Sequence, residues 1–314
     1  MQTYRNLDHI PAGLRRGAVA IGNFDGVHRG HARIAQRLVA KARQVGGPAV
    51  AFTFDPHPVR ILRPQHAPPP LTWTDRKAEL LAELEIDALI AHRTDGSFLH
   101  LTAREFFDRI VCGALEARAM VEGPNFFFGR GREGDIALLR RFCDEVGMGL
   151  DVVEPVLVDG QIVSSSRVRG LVAAGQVAEA SRLLTRPYRI RGRVIRGAGR
   201  GQQLGYPTAN LGEITTLLPA EGIYAGRGFV EGASWPAAIS LGPNPTFGEA
   251  GLKVEAHLLG FRGVLYDRWI EVDFLARLRD IKRFGSVEEL LSEMERDVAD
   301  TRAIVERHAR ESAA

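Results

Sequence analysis

Strand-like runs occur in two arrangements along this sequence, and the change between them, near residue 185, leaves few architectures open. Before it, β-rich runs such as AVAIGNF (18–24) and AVAFTF (49–54) alternate with helical patterns, among them Ile34, Leu38, Ala42 and Val45 at spacings of three and four. A strand–helix–strand succession predicts parallel pairing, because the helix carries the chain back across the sheet. After it come YRIRGRVI, GIYAGRGFV, WPAAISLG, KVEAHLL and RWIEVDFL, with Gly and Pro between them and few helix-length gaps. That texture predicts a small antiparallel barrel. The expected fold class is α/β, with a parallel-sheet domain over residues 1–184 and a barrel domain over 185–314 joined at LLTRPYR (183–189). One helix should close the chain and pack on the barrel. Ser286 and Glu289 form a capping-box pattern, and Val287, Leu290, Leu291, Met294, Val298 and Val305 recur on one face.

With 314 residues, 45% hydrophobic and 25% charged, the chain has the composition of two ordinary globular domains. Its first stretch, MQTYRNLDHIPAGLRRG, lacks an apolar signal segment, and no run approaches the ~20 residues of a membrane span. The expectation is a cytoplasmic protein without membrane contact. Cys112 and Cys143 are too few for a disulfide scaffold and read as small apolar residues. A net charge of +3 permits an anionic ligand without demanding nucleic acid.

The stretch GNFDGVHRGH (22–31) follows the apolar run Ala18–Ile21 and precedes the first helical pattern. Open α/β sheets bind ligands there, and a helix N-terminus offers unpaired N–H groups to an anion. Glycines at 22, 26 and 30 let the backbone come close. His28 and His31, three apart at the helix start, can face one phosphate and stabilise charge developing on phosphorus. A glycine-rich turn with two surface histidines has the same pattern, and a metal site lacks its third and fourth ligands. A second stretch, VSSSRVRGL (163–171), sets Ser164, Ser165, Ser166 and Arg169 ahead of a helical segment as another anion-binding arrangement.

With TFDPHP (53–58), GPNFFFGRGREGD (123–135), RGAGRGQQLGYPTANL (196–211) and VEAHLLGF (254–261) added, the chain resembles the bacterial bifunctional riboflavin kinase and FMN adenylyltransferase, or FAD synthetase, family. The resemblance runs from about residue 18 to the final helix. It implies an N-terminal nucleotidyltransferase-type sheet domain that makes FAD from FMN and ATP, and a C-terminal six-stranded barrel that phosphorylates riboflavin. His28 and His31 match the family's transition-state histidines, and Glu255 its catalytic base. The implied ATP and phosphate ligands are Gly22, Asp25, Gly30, Ser164, Ser165, Ser166, Arg169, Gly199 and Gly201. Thr208 and Asn210, in PTAN, match the Mg²⁺ motif; Asn125, Phe54, Phe128 and Arg279 are the flavin candidates, Arg279 reading equally as an ion-pair residue. Two positions depart from the pattern: Arg29 replaces an apolar residue, and Gly260 stands where an Asp is usual.

The implied cofactor is Mg²⁺, with ATP as co-substrate. The partners are riboflavin, FMN, FAD, ATP/ADP and pyrophosphate, with no nucleic acid and no membrane, and with a monomer or transient homo-oligomer as the assembly. Two other readings stand beside this one. A cytidylyltransferase with a non-catalytic barrel shares the histidine loop but does not predict PTAN followed by Glu255. RNA binding would use six arginines, at 186, 189, 191, 193, 196 and 200, in a stretch without an acid.

Overall fold

The computed structural model describes every residue except Asp8, His9, Ala198, residues 245–248 and Ala314. Contacts divide it into two compact units, Met1–Pro68 with Thr72–Ser164, and Pro69–Leu71 with Ser165–Ala314.

The first unit is built on six parallel strands: β1 (Gln2–Tyr4), β2 (Ala18–Ile21), β3 (Ala49–Asp55), β4 (Ala88–Arg93), β5 (Ala119–Glu122) and β6 (Gly149–Val152). Their order is β1-β4-β3-β2-β5-β6. Strands β2 and β5 are buried along their whole length, as expected of parallel strands covered on both faces. The run Ala18–Ile21 is thus the second strand and not the first, because Gln2–Tyr4 pairs in parallel with β4. From β2 the chain winds to β3 on one side and reaches β5 on the other, so the switch point lies between β2 and β5. The helix Arg29–Val45 buries Ala35, Leu38, Val39 and Ala42 against the sheet, leaving Ile34 and Val45 half-buried at the margin. A two-residue hairpin, β7 (Leu157–Val158) and β8 (Gln161–Ile162), follows.

The second unit opens with the helices Ser165–Ala173 and Val177–Leu183 and then forms a closed barrel. Its strands are β9 (Tyr188–Ile195), β10 (Ala209–Gly212), β11 (Gly222–Val230), β12 (Ala233–Asn244), β13 (Glu249–Leu258) and β14 (Trp269–Arg279), in the order β10-β13-β12-β11-β14-β9 with β9 closing on β10. Five of these overlap the five strand-like runs of the sequence. The sixth, β10, begins within the PTAN motif. The helix Val287–Ala313 packs on β11, β12 and β14. Its cap departs from a reciprocal box: Ser286 Oγ accepts the Glu289 N–H at 3.2 Å, but the Glu289 carboxylate accepts from Gly285 at 3.0 Å. Val287 is 44% exposed, while Leu290, Met294 and Val298 turn toward a cavity.

The arginine run is answered by acids far away in sequence. Arg189 donates to both Asp273 oxygens and to Glu271 on β14, with its guanidinium 3.7 Å from the Phe229 ring centroid. Arg193 pairs with Asp267 and Glu213, and Arg191 lies over Trp269. These contacts turn the arginine-rich strand into a paired, aromatic-backed barrel face. Cys143 is buried, with its thiol pushed up to about 12, chiefly by burial; Cys112 is partly buried.

Candidate active sites

The histidine loop leaves β2 at the sheet's switch point. Gly22 N–H still bonds Phe52 O at 2.9 Å; then Phe24 (φ 46°) and Val27 (φ 39°) enter the left-handed region. Such positions cost about 1–3 kcal/mol each for non-glycine residues and persist only when packing holds them. Here both side chains are buried, at 3% and 0% exposure. His28 caps the helix, its Nδ1 accepting the His31 N–H at 3.3 Å. In the neutral ring this places the proton on Nε2, which leaves Nε2 as a donor. The two imidazoles stack with centroids 3.7 Å apart and planes at 13°. Gly30 makes this approach possible, because a Cβ there would stand 3.0 Å from His28 Cε1.

His31 is partly exposed by area, yet its Nδ1 is buried and has no hydrogen-bond partner. Burial drives its imidazole well below the ordinary range, and the positive charges of His28 and Lys77 act in the same direction. A neutral ring with an orphaned nitrogen beside a helix N-terminus is suited to an incoming phosphate. Asp25, 6% exposed, accepts from Thr72 N–H and Oγ1 at 3.1 and 3.3 Å, so it shapes the loop from within. On the other side of the switch point, buried Glu122 accepts the Ile21 N–H at 2.8 Å. Burial raises its carboxyl well above the usual range, with that hydrogen bond opposing.

Asn125 is exposed just after β5, on the far side of the switch point from β3. The aromatic candidates separate. Phe128 is 6% exposed and packs with Phe106, Phe126 and Phe142, so its ring is already committed to the core. Phe54 is half-buried against Phe52 and Phe98, whereas Phe127 is 44% exposed with Arg132 over its face at 4.3 Å. Ser164 ends the first unit; Ser165, Ser166 and Arg169 begin the first helix of the second, where Arg169 Nε donates to Pro69 O at 3.3 Å.

The barrel unit holds a cavity of about 360 Å³. Its wall includes Gly199, Gly201, Thr208, Asn210, Glu255 and Arg279. Register explains the meeting of motifs 45 residues apart: Asn210 on β10 is directly opposite Glu255 on β13, and Glu255 is also opposite Ser240 on β12. The glycine loop makes one helical turn, Arg200–Gln203, after Gly199. Gly197 presses on the motif so closely that a Cβ there would fall 2.3 Å from Asn210 Nδ2. Arg279 lines the cavity, but its guanidinium is forked onto Asp297 at 3.0 and 2.7 Å. Gly260 turns the chain after β13 at φ 83°, a left-handed position that glycine occupies without strain. Arg29 is an exposed first-turn residue.

A family model described as FAD synthetase matches residues 11–167, and one described as riboflavin kinase matches residues 184–305. The bifunctional riboflavin kinase/FMN adenylyltransferase of Pseudomonas fluorescens is 37% identical over 305 residues, covering 97% of this chain and 98% of that relative. The chain belongs to this bifunctional family. The Escherichia coli K12 member is 33% identical over 95% of this chain and 96% of its own length. A crystal structure described as a macrolide-efflux protein from Streptococcus pneumoniae shares the fold at a TM-score of 0.85 and 29% identity, over 96% of this chain and 98% of that one. Among the described residues here, no helix is long and apolar enough to cross a membrane.

Within the family's first half, residues outside the sequence motifs also build the site. Glu122 ends the apolar run AMVE, and an acid closing a buried central strand was a readable signal. Thr53 opens the TFDPHP motif, but Lys77 and Thr72 carry no such signal. Lys77 sits in TDRKAELLA, where a lysine reads as a solvated helix charge, and only packing shows it 8% exposed.

Proposed function

We propose that this member of the bifunctional family makes FMN and then FAD, with phosphoryl transfer in the barrel unit and adenylyl transfer at the histidine loop. The observation that carries the reading is the presence, in one chain, of a stacked histidine pair at a helix N-terminus and a separate cavity lined by the PTAN motif and Glu255, one in each region matched by a family model.

In the barrel, Glu255 accepts the proton of the ribityl hydroxyl as that oxygen attacks the γ-phosphorus of ATP; the bond to the β-phosphate oxygen breaks and ADP leaves. The PTAN motif suits Mg²⁺: a hydroxyl and an amide oxygen beside a carboxylate are hard donors, and the glycine loop closes directly over Asn210. Thr208 and Asn210 would hold the ion, which when bound neutralises the phosphate oxygens. Gly199 and Gly201 give the triphosphate backbone access, and Arg279 orients flavin from its fork on Asp297.

At the histidine loop, an FMN phosphate oxygen attacks the α-phosphorus of ATP, the new P–O bond forms as the bond to pyrophosphate breaks, and no covalent enzyme intermediate is needed. His28 Nε2–H and the His31 ring donate to oxygens that gain charge in that transition state. Gly22, Asp25 and Gly30 keep the loop close to the phosphates. Ser164, Ser165, Ser166 and Arg169 supply further donors, and Asn125 and Phe54 belong to the flavin side, with Phe128 held in the core behind them. The expected setting is the cytoplasm, with a monomer or transient homo-oligomer as the assembly.

Purified protein incubated with riboflavin, ATP and Mg²⁺, with flavins separated by chromatography, tests the reading. FMN and FAD should both form, both stop in EDTA and both return with added Mg²⁺. FMN alone would remove the adenylyl-transfer assignment, and a stoichiometric zinc in active protein would remove Mg²⁺.

A further inference from the structure

The histidine loop is gripped from below by one short segment. Lys77, on the helix Thr74–Ala82, donates from Nζ to Thr53 Oγ1 at 3.3 Å. Thr53, fully buried on β3, passes the contact on by donating to the Asn23 carbonyl at 3.2 Å. Thr72, just before the helix, donates to Asp25 through its N–H and Oγ1 and accepts the Gly26 N–H at 3.1 Å. Residues 72–77 therefore hold the loop at Asn23, Asp25 and Gly26, on the approach to both histidines.

A hydroxyl or amide would serve that purpose at lower cost, because a buried ammonium carries a desolvation penalty. Burial does push the Lys77 ammonium down, while the carboxylates of Asp25 and Asp55 support its charge. We propose that Lys77 is a positioning residue for adenylyl transfer, fixing the histidine loop through Thr53 and Asn23 while holding a buried positive charge close to that loop. The proposal rests on the adenylyl-transfer reading of that loop. The charge has two consequences. It disfavours a proton on His31, adding to burial and to His28, so that the ring meets ATP as a neutral, directional donor. It also attracts the triphosphate with a positive charge held under the loop.

Two variants separate the hydrogen-bond chain from the charge. Lys77→Met keeps the apolar stem and removes the ammonium; Thr53→Val keeps the shape and removes the link to Asn23. Each is compared with wild type for FMN adenylylation, riboflavin phosphorylation and the NMR titration of the His31 ring. Both should lower kcat for FAD formation by about tenfold or more, the scale of a slightly misplaced reacting group, while riboflavin phosphorylation is unchanged. The His31 midpoint should move upward in Lys77→Met and stay in place in Thr53→Val. In Lys77→Met, either wild-type kcat or loss of activity with an unmoved His31 midpoint overturns the proposal. Should Lys77→Met fail to fold, wild-type kcat in Thr53→Val overturns it alone. A wild-type protein that makes no FAD refutes the reading of the loop, whereas one that makes FAD alongside fully active variants refutes only the role of Lys77.

Discussion

Replacing Gly197 by alanine should disable one activity and spare the other. Its φ lies outside the left-handed region, so the backbone accepts alanine, but the new Cβ would stand 2.3 Å from Asn210 Nδ2 and 2.7 Å from Cγ, against 3.4 Å for ordinary contact. The amide must therefore retreat by about 1.1 Å. Asn210 cannot move as backbone, because β10 pairs with Ile195 on one side and Glu255 on the other. Its side chain must rotate, at a cost in stability of only about 0.5–1.5 kcal/mol. A displacement near 1 Å in a positioning group lowers rate about 10²-fold, or ~2.7 kcal/mol of transition-state stabilisation. The assay is initial-rate formation of FMN from riboflavin and of FAD from FMN in the same preparation, with Gly251→Ala, where a Cβ meets open space, as control. Riboflavin phosphorylation should fall and FMN adenylylation hold. Unchanged phosphorylation in folded Gly197→Ala protein would show that Asn210 does not position the reacting phosphate.

Glu255→Gln should lower riboflavin phosphorylation by about 10²-fold or more while FAD formation from FMN stays near normal; chromatography of both products checks it, and joint loss would mean one shared site or misfolding. His28→Ala should do the reverse, lowering FAD formation by ~10²-fold with phosphorylation intact; undiminished FAD synthesis would remove the histidine from the mechanism. Glu122 gives a pH test: burial raises its folded carboxyl above the ordinary 4.5, so the stability of its protonated form is complete below that value and is lost as pH rises toward the folded one. Glu122→Gln keeps the acceptor for Ile21, so its Tm advantage over wild type should be larger at pH 8 than at pH 5, and thermal melts with a pH-independent difference would refute this.

What the sequence disclosed follows periodicity. In YRIRGRVI, buried and half-buried positions alternate through most of β9, so the strand could be read directly. Strand β10 has four residues behind a proline, and β1 has three; neither is long enough to show a period. The motifs located the histidine loop and the PTAN–Glu255 pair, but not what supports them. Lys77 looks like any helix charge until β3 and the loop are folded over it. Likewise, Arg189 and Arg193 look unpaired because Asp267, Glu271 and Asp273 come some seventy to eighty residues later, which only barrel register brings beside them. The three phenylalanines at 126–128 were indistinguishable in one dimension; alternation about the Phe128–Gly134 bridge turns Phe127 outward and its successor inward.

Barrel closure also sets an order of appearance during synthesis. All six strands of the parallel sheet have been made by Val152, including the pairs β1–β4 and β2–β5 that join strands three apart in the chain. The barrel is completed later, because β9, its first strand, takes β14 as one of its two neighbours, and β14 ends at Arg279. The cavity wall then still needs Leu290, Met294 and Val298 from the last helix. A ribosome-bound chain can fold its histidine loop while the barrel remains open, since domains fold as units from the N-terminus and long-range β pairing comes late. The residues proposed for adenylyl transfer are thus made and folded on the nascent chain before those proposed for phosphoryl transfer, in the opposite order to the chemistry, in which FMN must be made before it can be adenylylated.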